Sequence, residues 1–228
     1  KTGLHLGSDR PLQHGGVLLE TSGARVTTER FVKLDTALLE ASAPLLKLTA
    51  GSAMTSAKGL VAVGPKASLV GDLPSDALIK LNASTLTVNN GPLFNVGGAS
   101  VLSVTGSLVS LTNGSTLSIL GGSLVSVSGG SVFTLTGGSL GVLGSGSNAL
   151  NIASMVPLCT GCSVTTSVPN FGGYPVLLKN GAVASNVTVA GGFTPFAGLN
   201  ANNTVKVSGP SGAVLAVSGA TSKVVLGP

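Results

Sequence analysis

Charge is the scarcest property of this 228-residue chain. Asp, Glu, Lys and Arg make up only 8% of the residues, against roughly a quarter in typical soluble proteins. No charged residue occurs between Lys80 and Lys179, and Asp76 is the last acidic one. The apolar content of 43% argues against disorder. Because a surface with so few charges lacks repulsion between molecules, we expect self-association rather than a monomer covered with hydroxyls and amides.

Runs of basic residues and long apolar stretches are also missing, and aromatic residues are few. The net charge of +5 arises from twelve basic residues that occur singly, and only 3% of the residues are aromatic. We therefore expect no binding to nucleic acid, which needs a basic patch and often aromatic stacking. Ser, Gly or Thr interrupts every apolar stretch well short of the roughly 20 residues of a membrane span, so no span is predicted. The chain begins Lys1-Thr2-Gly3 without a signal peptide, which is typical of a trimmed product and compatible with secretion.

Groups that carry catalysis or bind metals are few and dispersed. Both histidines, His5 and His14, fall in the first 14 residues. Polysaccharide-active enzymes built on coiled strands, such as the pectate-lyase-like enzymes, need clustered carboxylates. Only Asp72 and Asp76 lie close together, and we interpret them as a solvated turn. The remaining acidic residues are Asp9, Glu20, Glu29, Asp35 and Glu40. We predict no enzymatic activity, no catalytic residue, no cofactor and no metal.

The chain contains two cysteines, Cys159 and Cys162, in a CxxC arrangement. A tetrahedral zinc site needs a second pair or neighbouring histidines, which are absent from this part of the sequence. A thioredoxin-like redox site needs a helix after the first cysteine, and the following Val164-Thr165-Thr166 argues against one. We therefore interpret the pair as a small disulfide that pins a loop in an oxidising compartment, with free thiols as the alternative.

What the sequence does contain is a repeat, clearest over residues 78–135. Segments that begin at Leu78, Leu93, Leu108 and Leu124 follow one another at intervals of 15 or 16 residues. A second apolar pair follows about eight residues later in each segment. A short fixed period means that each unit buries its apolar face only by stacking on its neighbours, which predicts a solenoid.

The repeat places side chains in columns that run from unit to unit. Adjacent side chains of a strand face opposite ways, so alternate columns line the core and the solvent. The first inward column is Val32, Leu46, Val61, Ile79, Phe94, Val109 and Val125; the second is Leu34, Leu48, Val63, Leu81, Val96, Leu111 and Val127. The outward column between them is Lys33, Lys47, Ala62, Lys80, Asn95, Ser110 and Ser126.

These columns predict an all-β fold, a parallel β-helix with coils of about 15–16 residues. Two apolar clusters per period favour two main strands per coil, and a third short strand at a corner stays open. Seven such coils would form a rod on the order of 35 Å long. Residues 31–151 form the regular β-solenoid in this prediction.

The phase of the repeat weakens at both ends. Residues 1–30 are predicted to be an N-terminal segment or cap, because an uncovered solenoid end exposes unpaired strand edges. Residues 152–174 are predicted to be a loop or insertion that carries the CxxC pair. Residues 175–228 are predicted to form further coils or a β-rich region that docks on another subunit.

Polar residues of the outer surface have two interpretations. Regular Ser and Thr columns suit binding of glycans, surfaces or ice, but they are also what an uncharged solenoid tolerates, since like charges in register repel. We favour the second, because no Thr-x-Thr array is sustained along the repeat. The chain has four glycosylation sequons, at Asn82, Asn113, Asn186 and Asn202, which matter where the source glycosylates secreted proteins.

The segments GPLFNV at residues 91–96 and GGSLVSVSGGS at residues 121–131 resemble the repeats of bacterial β-solenoid surface proteins. Filamentous-haemagglutinin and autotransporter-passenger repeats are the most similar in style, and the resemblance covers about residues 31–150. The chain differs from them in its shorter period and its very few charges. The resemblance implies secretion, a right-handed parallel β-helix and a role in adhesion or surface structure, and no functional residue carries over.

Together these observations predict an extracellular or cell-surface structural protein. Its main partner would be a second copy of itself, in a filament or surface layer. The alternative is a monomeric adhesin or passenger that binds a glycan or a host surface. Exposed aromatics in a groove would favour that alternative, and the candidates are Phe171, Tyr174, Phe193 and Phe196.

Overall fold

The computed structural model describes residues 2–7 and 11–153, together with six strands between residues 176 and 226. Every regular element in these residues is a β-strand, and neighbouring strands pair in parallel. The predicted all-β parallel β-solenoid is confirmed. Apolar residues at a spacing of two, separated by Gly, Ser and Asn, give strands with one buried face and short turns between them.

Residues 2–153 form five turns, and each turn runs along four faces. The first turn contains β1 (Thr2–Leu6), β2 (Leu12–His14), β3 (Leu19–Ser22) and β4 (Arg25–Thr28). The second contains β5 (Arg30–Leu34), β6 (Leu38–Ala41), β7 (Leu46–Thr49) and β8 (Ala53–Lys58). The predicted N-terminal segment, residues 1–30, thus corresponds to the first turn.

In the third and fourth turns, one long strand runs along two faces. The third turn contains β9 (Val61–Val63), β10 (Ser68–Asn82) and β11 (Thr85–Asn90); the fourth contains β12 (Phe94–Val96), β13 (Val101–Thr112) and β14 (Thr116–Ile119). The fifth contains β15 (Val125–Val127), β16 (Val132–Thr136), β17 (Gly141–Leu143) and β18 (Ala149–Ala153).

The four faces are named by their strands. Face 1 holds β1, β5, β9, β12 and β15, and face 4 holds β4, β8, β11, β14 and β18. Face 2 holds β2, β6 and β16 together with the first parts of the long strands β10 and β13. Face 3 holds β3, β7 and β17 together with the last parts of β10 and β13.

Strand register corrects the predicted coil length. On face 1, Val61 pairs with Val32 and Phe94, and Phe94 pairs with Val125. Hydrogen-bonded partners in adjacent turns are accordingly about 31 residues apart, as at Ser100 and Ser131. One 15–16-residue repeat is therefore half a turn, and each turn has four strand segments instead of two. Consecutive repeats place nearly identical Leu and Val patterns on faces 1 and 3, so the pattern alone does not show how many repeats close a turn.

The predicted core columns are confirmed by burial. All fourteen residues of the two inward columns are at most 1% exposed, and the outward column is half-buried with one exception. That exception is Ala62, which is 6% exposed. It lies in register between Lys33 and Asn95, whose longer side chains flank its single methyl group. Five turns spaced by about 4.8 Å give a described solenoid roughly 24 Å long, shorter than seven coils would be.

Buried polar residues occupy the corners of the turns. Between faces 3 and 4, Ser52, Ser84, Ser115 and Asn148 are at most 4% exposed. The Ser115 hydroxyl donates to the Thr112 carbonyl oxygen at 2.6 Å and accepts from the Ser84 amide at 3.2 Å. The Ser115 amide in turn donates to Asn148 Oδ1 at 2.9 Å. These side chains satisfy corner backbone groups that face the core, where water is excluded.

A protrusion interrupts the regular surface between faces 2 and 3. The register of β10 against β13 shifts between Asp72 and Ala77, so residues 73–76 form a bulge in which Leu73 stays buried while Pro74 and Ser75 are exposed. Gly106 closes the base of the bulge with φ of +103°, and a Cβ there would clash with the Leu73 carbonyl oxygen. Only glycine fits this position without strain.

The C-terminal strands extend the same faces. They are β19 (Val176–Lys179), β20 (Asn186–Ala190), β21 (Phe196–Ala197), β22 (Thr204–Ser208), β23 (Leu215–Ser218) and β24 (Lys223–Leu226). β23, β20, β21 and β22 pair with β15, β16, β17 and β18 respectively, while β19 pairs with β23 and β24 pairs with β20. All four faces therefore continue beyond the fifth turn.

Candidate assembly surfaces

Charged side chains of the described turns are confined to residues 2–7 and 11–80, which we call the charged part. Two ion pairs join its first turn to its second: Glu20 Oε1 to Lys47 Nζ at 2.7 Å and Glu29 Oε1 to Lys58 Nζ at 2.6 Å. A hydrogen bond of 2.9 Å between His5 Nε2 and Asp35 Oδ2 joins the same two turns. Because these groups are largely exposed, each contact is expected to contribute little to stability.

Lysine neighbours stabilise the ionised form of two carboxylates in the charged part. The hydrogen bond from Lys58 lowers the pKa of Glu29 below its ordinary value. The hydrogen bond from Lys33 is the main cause that lowers the pKa of Asp35, and His5 acts in the same direction. Both carboxylates link neighbouring turns or neighbouring positions of face 1, so their role is structural.

Residues 81–153, which we call the uncharged part, carry no ionisable side chain. On face 4, small polar residues in register form one outward column that runs through both the charged part and the uncharged part. Its members are Thr27, Thr55, Thr87, Ser118 and Asn151. The outward residues Thr87, Ser103, Ser118 and Thr134 are half-buried. The Thr85-x-Thr87 pair is in register with Ala53-x-Thr55 of the second turn and Thr116-x-Ser118 of the fourth, so no Thr-x-Thr array extends along the face.

Two of the predicted sequons lie side by side at the corner between faces 3 and 4. Asn82 and Asn113 are exposed, and Asn113 Nδ2 donates to Asn82 Oδ1 at 2.8 Å. The Ser145 hydroxyl donates to Asn113 Oδ1, also at 2.8 Å. Asn186 is the first residue of β20, and Asn202 lies outside the described residues. The two described side chains extend the stacked hydrogen bonds of the turns onto the surface.

The inward side chains of the first turn are less buried than those of the second. They are Leu6, Leu12, Leu19 and Val26, in register with Leu34, Leu39, Leu46 and Met54 of the second turn. The second-turn residues are at most 1% exposed. By contrast, Leu12 is 39% exposed, and Leu6, Leu19 and Val26 are only partly buried.

Leu120 is the other strongly exposed large apolar residue of the described chain, at 43%. It follows β14 on the side of the fourth turn, and its backbone amide donates to the Val88 carbonyl oxygen. Leu12 and Leu120 are thus exposed to a similar extent, one in the first turn and one in the fourth.

A polar cleft of about 500 Å³ lies on face 2 beside the protrusion. Gln13, His14, Glu40 and Asp72 contribute polar groups to it, and Gln13 Nε2 donates to Glu40 Oε2 at 2.9 Å. The cleft joins residues from the first three turns. Its donors and acceptors suit a small polar or hydroxyl-bearing ligand.

The predicted solvated turn behaves differently at its two carboxylates. Asp72 is exposed, whereas Asp76 is half-buried, pairs with Lys80 Nζ at 2.8 Å and accepts from the Ala77 amide at 2.8 Å. Within residues 2–7 and 11–153, no group of three His, Cys, Asp or Glu side chains is arranged to hold a metal ion. The described part of the chain also has no helix long and apolar enough to cross a membrane.

Several predicted residues lie where the structure gives no side-chain information. Cys159 and Cys162, predicted to form a disulfide, lie outside the described residues, as do Phe171, Tyr174 and Phe193. Phe196 is the first residue of β21. The disulfide and the aromatic groove stay predictions.

Fold and surfaces together define the class of this chain as a β-solenoid repeat protein. No protein-family model matches it, and no curated protein or solved structure matches it either. The resemblance to filamentous-haemagglutinin and autotransporter-passenger repeats thus stays a prediction from the sequence.

Proposed function

We propose that this chain is an extracellular or cell-surface structural protein whose solenoids self-assemble into a filament or surface layer. The observation that carries the proposal is the uncharged part: residues 81–153 form a full core and a regular outer surface without one ionisable side chain. Net charge and like-charge repulsion are what normally keep soluble proteins apart. A rod with this surface has little to oppose close approach by a second rod.

The architecture suits a structural role. Inter-turn hydrogen bonds, buried serine contacts and in-register ion pairs all stabilise the rod itself. Parallel ladders also end in strand edges that can template further pairing.

Sedimentation velocity over a range of concentrations tests the proposal. We expect species larger than one chain that persist at high salt, because few ion pairs contribute to contacts between uncharged surfaces. A single-chain species at every concentration and salt would contradict self-assembly.

Added surface charge supplies a second arm of this test. The triple variant Ser103→Lys, Ser118→Lys and Ser126→Lys places positive charges on three faces of the uncharged part. We expect it to assemble less at low salt and to recover at high salt, where the charges are screened. The same three positions changed to Asn are the neutral control and should assemble like the natural protein.

A second candidate function is the monomeric adhesin or passenger that binds a glycan. The cleft formed by Gln13, His14, Glu40 and Asp72 favours it, because amide, imidazole and carboxylate groups hydrogen-bond sugar hydroxyls. Glycan-array binding that is lost in Glu40→Gln and Asp72→Asn, by a protein that stays a single chain, would support this candidate over assembly.

A further inference from the structure

We propose that the cleft on face 2 binds an amino sugar, with Glu40 and Asp72 as the groups that hold its ammonium. The inference names the ligand class of the cleft on which the second candidate function rests, and it holds whether or not the chain self-assembles. The side chains that line the cleft all belong to the first three turns.

Carboxylates without a cation distinguish the cleft from the rest of the charged part. The four described carboxylates outside it each form an ion pair with a lysine: Glu20 with Lys47, Glu29 with Lys58, Asp35 with Lys33 and Asp76 with Lys80. Among the described residues, Glu40 and Asp72 are the carboxylates that form no ion pair, and both line the cleft. The cleft therefore carries negative charge that no described side chain neutralises, in a protein whose net charge is +5.

Strand register explains why these two carboxylates have no cation. The register partners of Glu40 are Gln13 of the first turn and Val70 of the third, whereas on face 3 a glutamate of the first turn faces a lysine of the second. The register partner of Asp72 in the fourth turn is Thr105. Every neighbour is neutral, so both carboxylates stay available to a positively charged ligand.

Hydrogen-bond acceptors outnumber donors in the cleft. Gln13 Nε2 donates to Glu40 Oε2 at 2.9 Å, which leaves Glu40 Oε1 without a partner among the described residues. The Asp72 carboxylate and Gln13 Oε1 are further acceptors, while Ser42 contributes a hydroxyl that both donates and accepts. A complementary ligand must bring several donors. An ammonium brings three, and the hydroxyls of a sugar bring more.

An imidazole nitrogen without a partner is an independent sign of a ligand. His14 lines the cleft, and its Nε2 is buried and has no hydrogen-bond partner among the described residues. Buried polar atoms without a partner are rare in folded proteins, and a ligand-binding role is one ordinary reason for such an atom. A neutral imidazole donates from one nitrogen and accepts at the other, so it suits a hydroxyl, which does both.

The size and the apolar lining of the cleft favour a sugar over a simple amine. The volume of about 500 Å³ lies in the range of small-molecule sites, roughly 300–1,000 Å³. Val70 is half-buried and adds apolar surface to the cleft, against which the C–H groups of a sugar ring can pack. A linear amine has neither a ring for this surface nor hydroxyls for Gln13 and Ser42.

Isothermal titration calorimetry with four probes tests the ligand class. Three are β-1,4-linked tetrasaccharides that differ at C2: glucosamine with an ammonium, N-acetylglucosamine with an acetamide, and glucose with a hydroxyl. The fourth is 1,4-diaminobutane, an amine without a sugar ring. The assay is run at low salt and about pH 5.5, where amino-sugar amines are protonated and carboxylates are ionised. We expect the glucosamine tetramer to bind at least about tenfold more tightly than the other three, because a charge-assisted hydrogen bond contributes this much.

Variants of the two carboxylates locate the ammonium. Glu40→Gln and Asp72→Asn each remove one charge from the cleft, and we expect each to lower the affinity for the glucosamine tetramer about tenfold. Glu20→Gln is the matched control, because it removes the same charge from the first turn but on face 3. It should bind the tetramer like the natural protein. Circular dichroism verifies that all three variants keep the fold.

The outcomes separate the ligand class from the functions proposed above. Equal binding of the glucosamine and glucose tetramers would overturn the amino sugar and leave a cleft for neutral glycans. Equal binding of 1,4-diaminobutane would overturn the sugar, because the amine alone would then be recognised. A loss in E20Q as large as that in E40Q would place the ammonium outside the cleft. If no probe binds, both the inference and the glycan-binding candidate fall, while self-assembly stands on its own test.

Discussion

The charged and uncharged parts of this solenoid have the same core and opposite outer surfaces. In both, inward columns of Leu, Val, Ile and Phe are at most 2% exposed from the second turn onward. Outside, the charged part pairs Glu20 with Lys47 and Glu29 with Lys58 along the axis, whereas the uncharged part stacks Ser, Thr and Asn. Neighbouring turns lie about 4.8 Å apart, so like charges in register repel. Where Lys80 lies in register with Lys47, each lysine has a carboxylate of its own, Asp76 and Glu20 respectively.

The comparison shows that the core determines the fold while the outer surface is free to vary. A substitution that places a charge in the core should therefore lower stability far more than a substitution that exchanges charged and uncharged residues on the outer surface.

A charge placed in the core of the uncharged part should have the largest effect. Val109 is fully buried and lies in register with Ile79 and Gly141. Val109→Lys buries an unpaired charge, which should lower the free energy of unfolding by at least about 3 kcal/mol or prevent folding. The control is Ser110→Lys, one residue along and half-exposed beside Lys80, which should cost about 1 kcal/mol or less. Equal losses in urea unfolding of the two variants would contradict the inward and outward assignment.

Loss of a buried corner hydroxyl should have an intermediate effect. Ser115→Ala removes the donor to the Thr112 carbonyl and the acceptor of the Ser84 amide, and leaves both without that partner. We expect a loss of about 1–3 kcal/mol in the free energy of unfolding. Ser118→Ala, on the outward column of face 4, is the matched control and should change stability by less than about 0.5 kcal/mol.

Acid should have the smallest of the three effects: it should lower the stability of the charged part slightly and leave that of the uncharged part unchanged. The pKa of Glu29 is lowered by Lys58 and that of Asp35 by Lys33. Groups with a lowered pKa stabilise the fold above their unfolded values, about 4.3 for Glu and 3.9 for Asp, and lose this contribution as pH falls through their folded values. We expect acid to lower the melting temperature of the natural protein more than that of Lys58→Met.

The control for the acid prediction is Lys66→Met, which removes a lysine outside these pairs. Its melting temperature should fall with acid as much as that of the natural protein. If K58M and the natural protein lose the same amount, the ion pair between the first and second turns does not contribute.

The sequence predicts the columns well because apolar burial requires a strict alternation at every strand. Positions such as Val109 and Leu111 could be assigned from spacing alone, and their burial confirms them. Turn length was not predictable in the same way, because faces 1 and 3 receive equivalent repeats. The first turn was hidden by its polar inward residues, His14 and Thr21, which break the apolar pattern at positions in register with Ala41 and Leu48.

Which residues meet on the outer surface depends on the turn length and so escaped sequence analysis. Leu12 becomes recognisable as a member of an inward column only once it is placed one full turn before Leu39. Gln13, Glu40 and Asp72 meet in one cleft because they lie in three successive turns. With a half-turn period these residues would have been placed on the wrong faces.

Electron microscopy of the protein at neutral pH and moderate salt tests the central claim most directly. Self-assembly predicts regular filaments or sheets. Short rods that stay separate at high concentration would contradict the claim and would direct attention to the cleft beside Glu40 and Asp72.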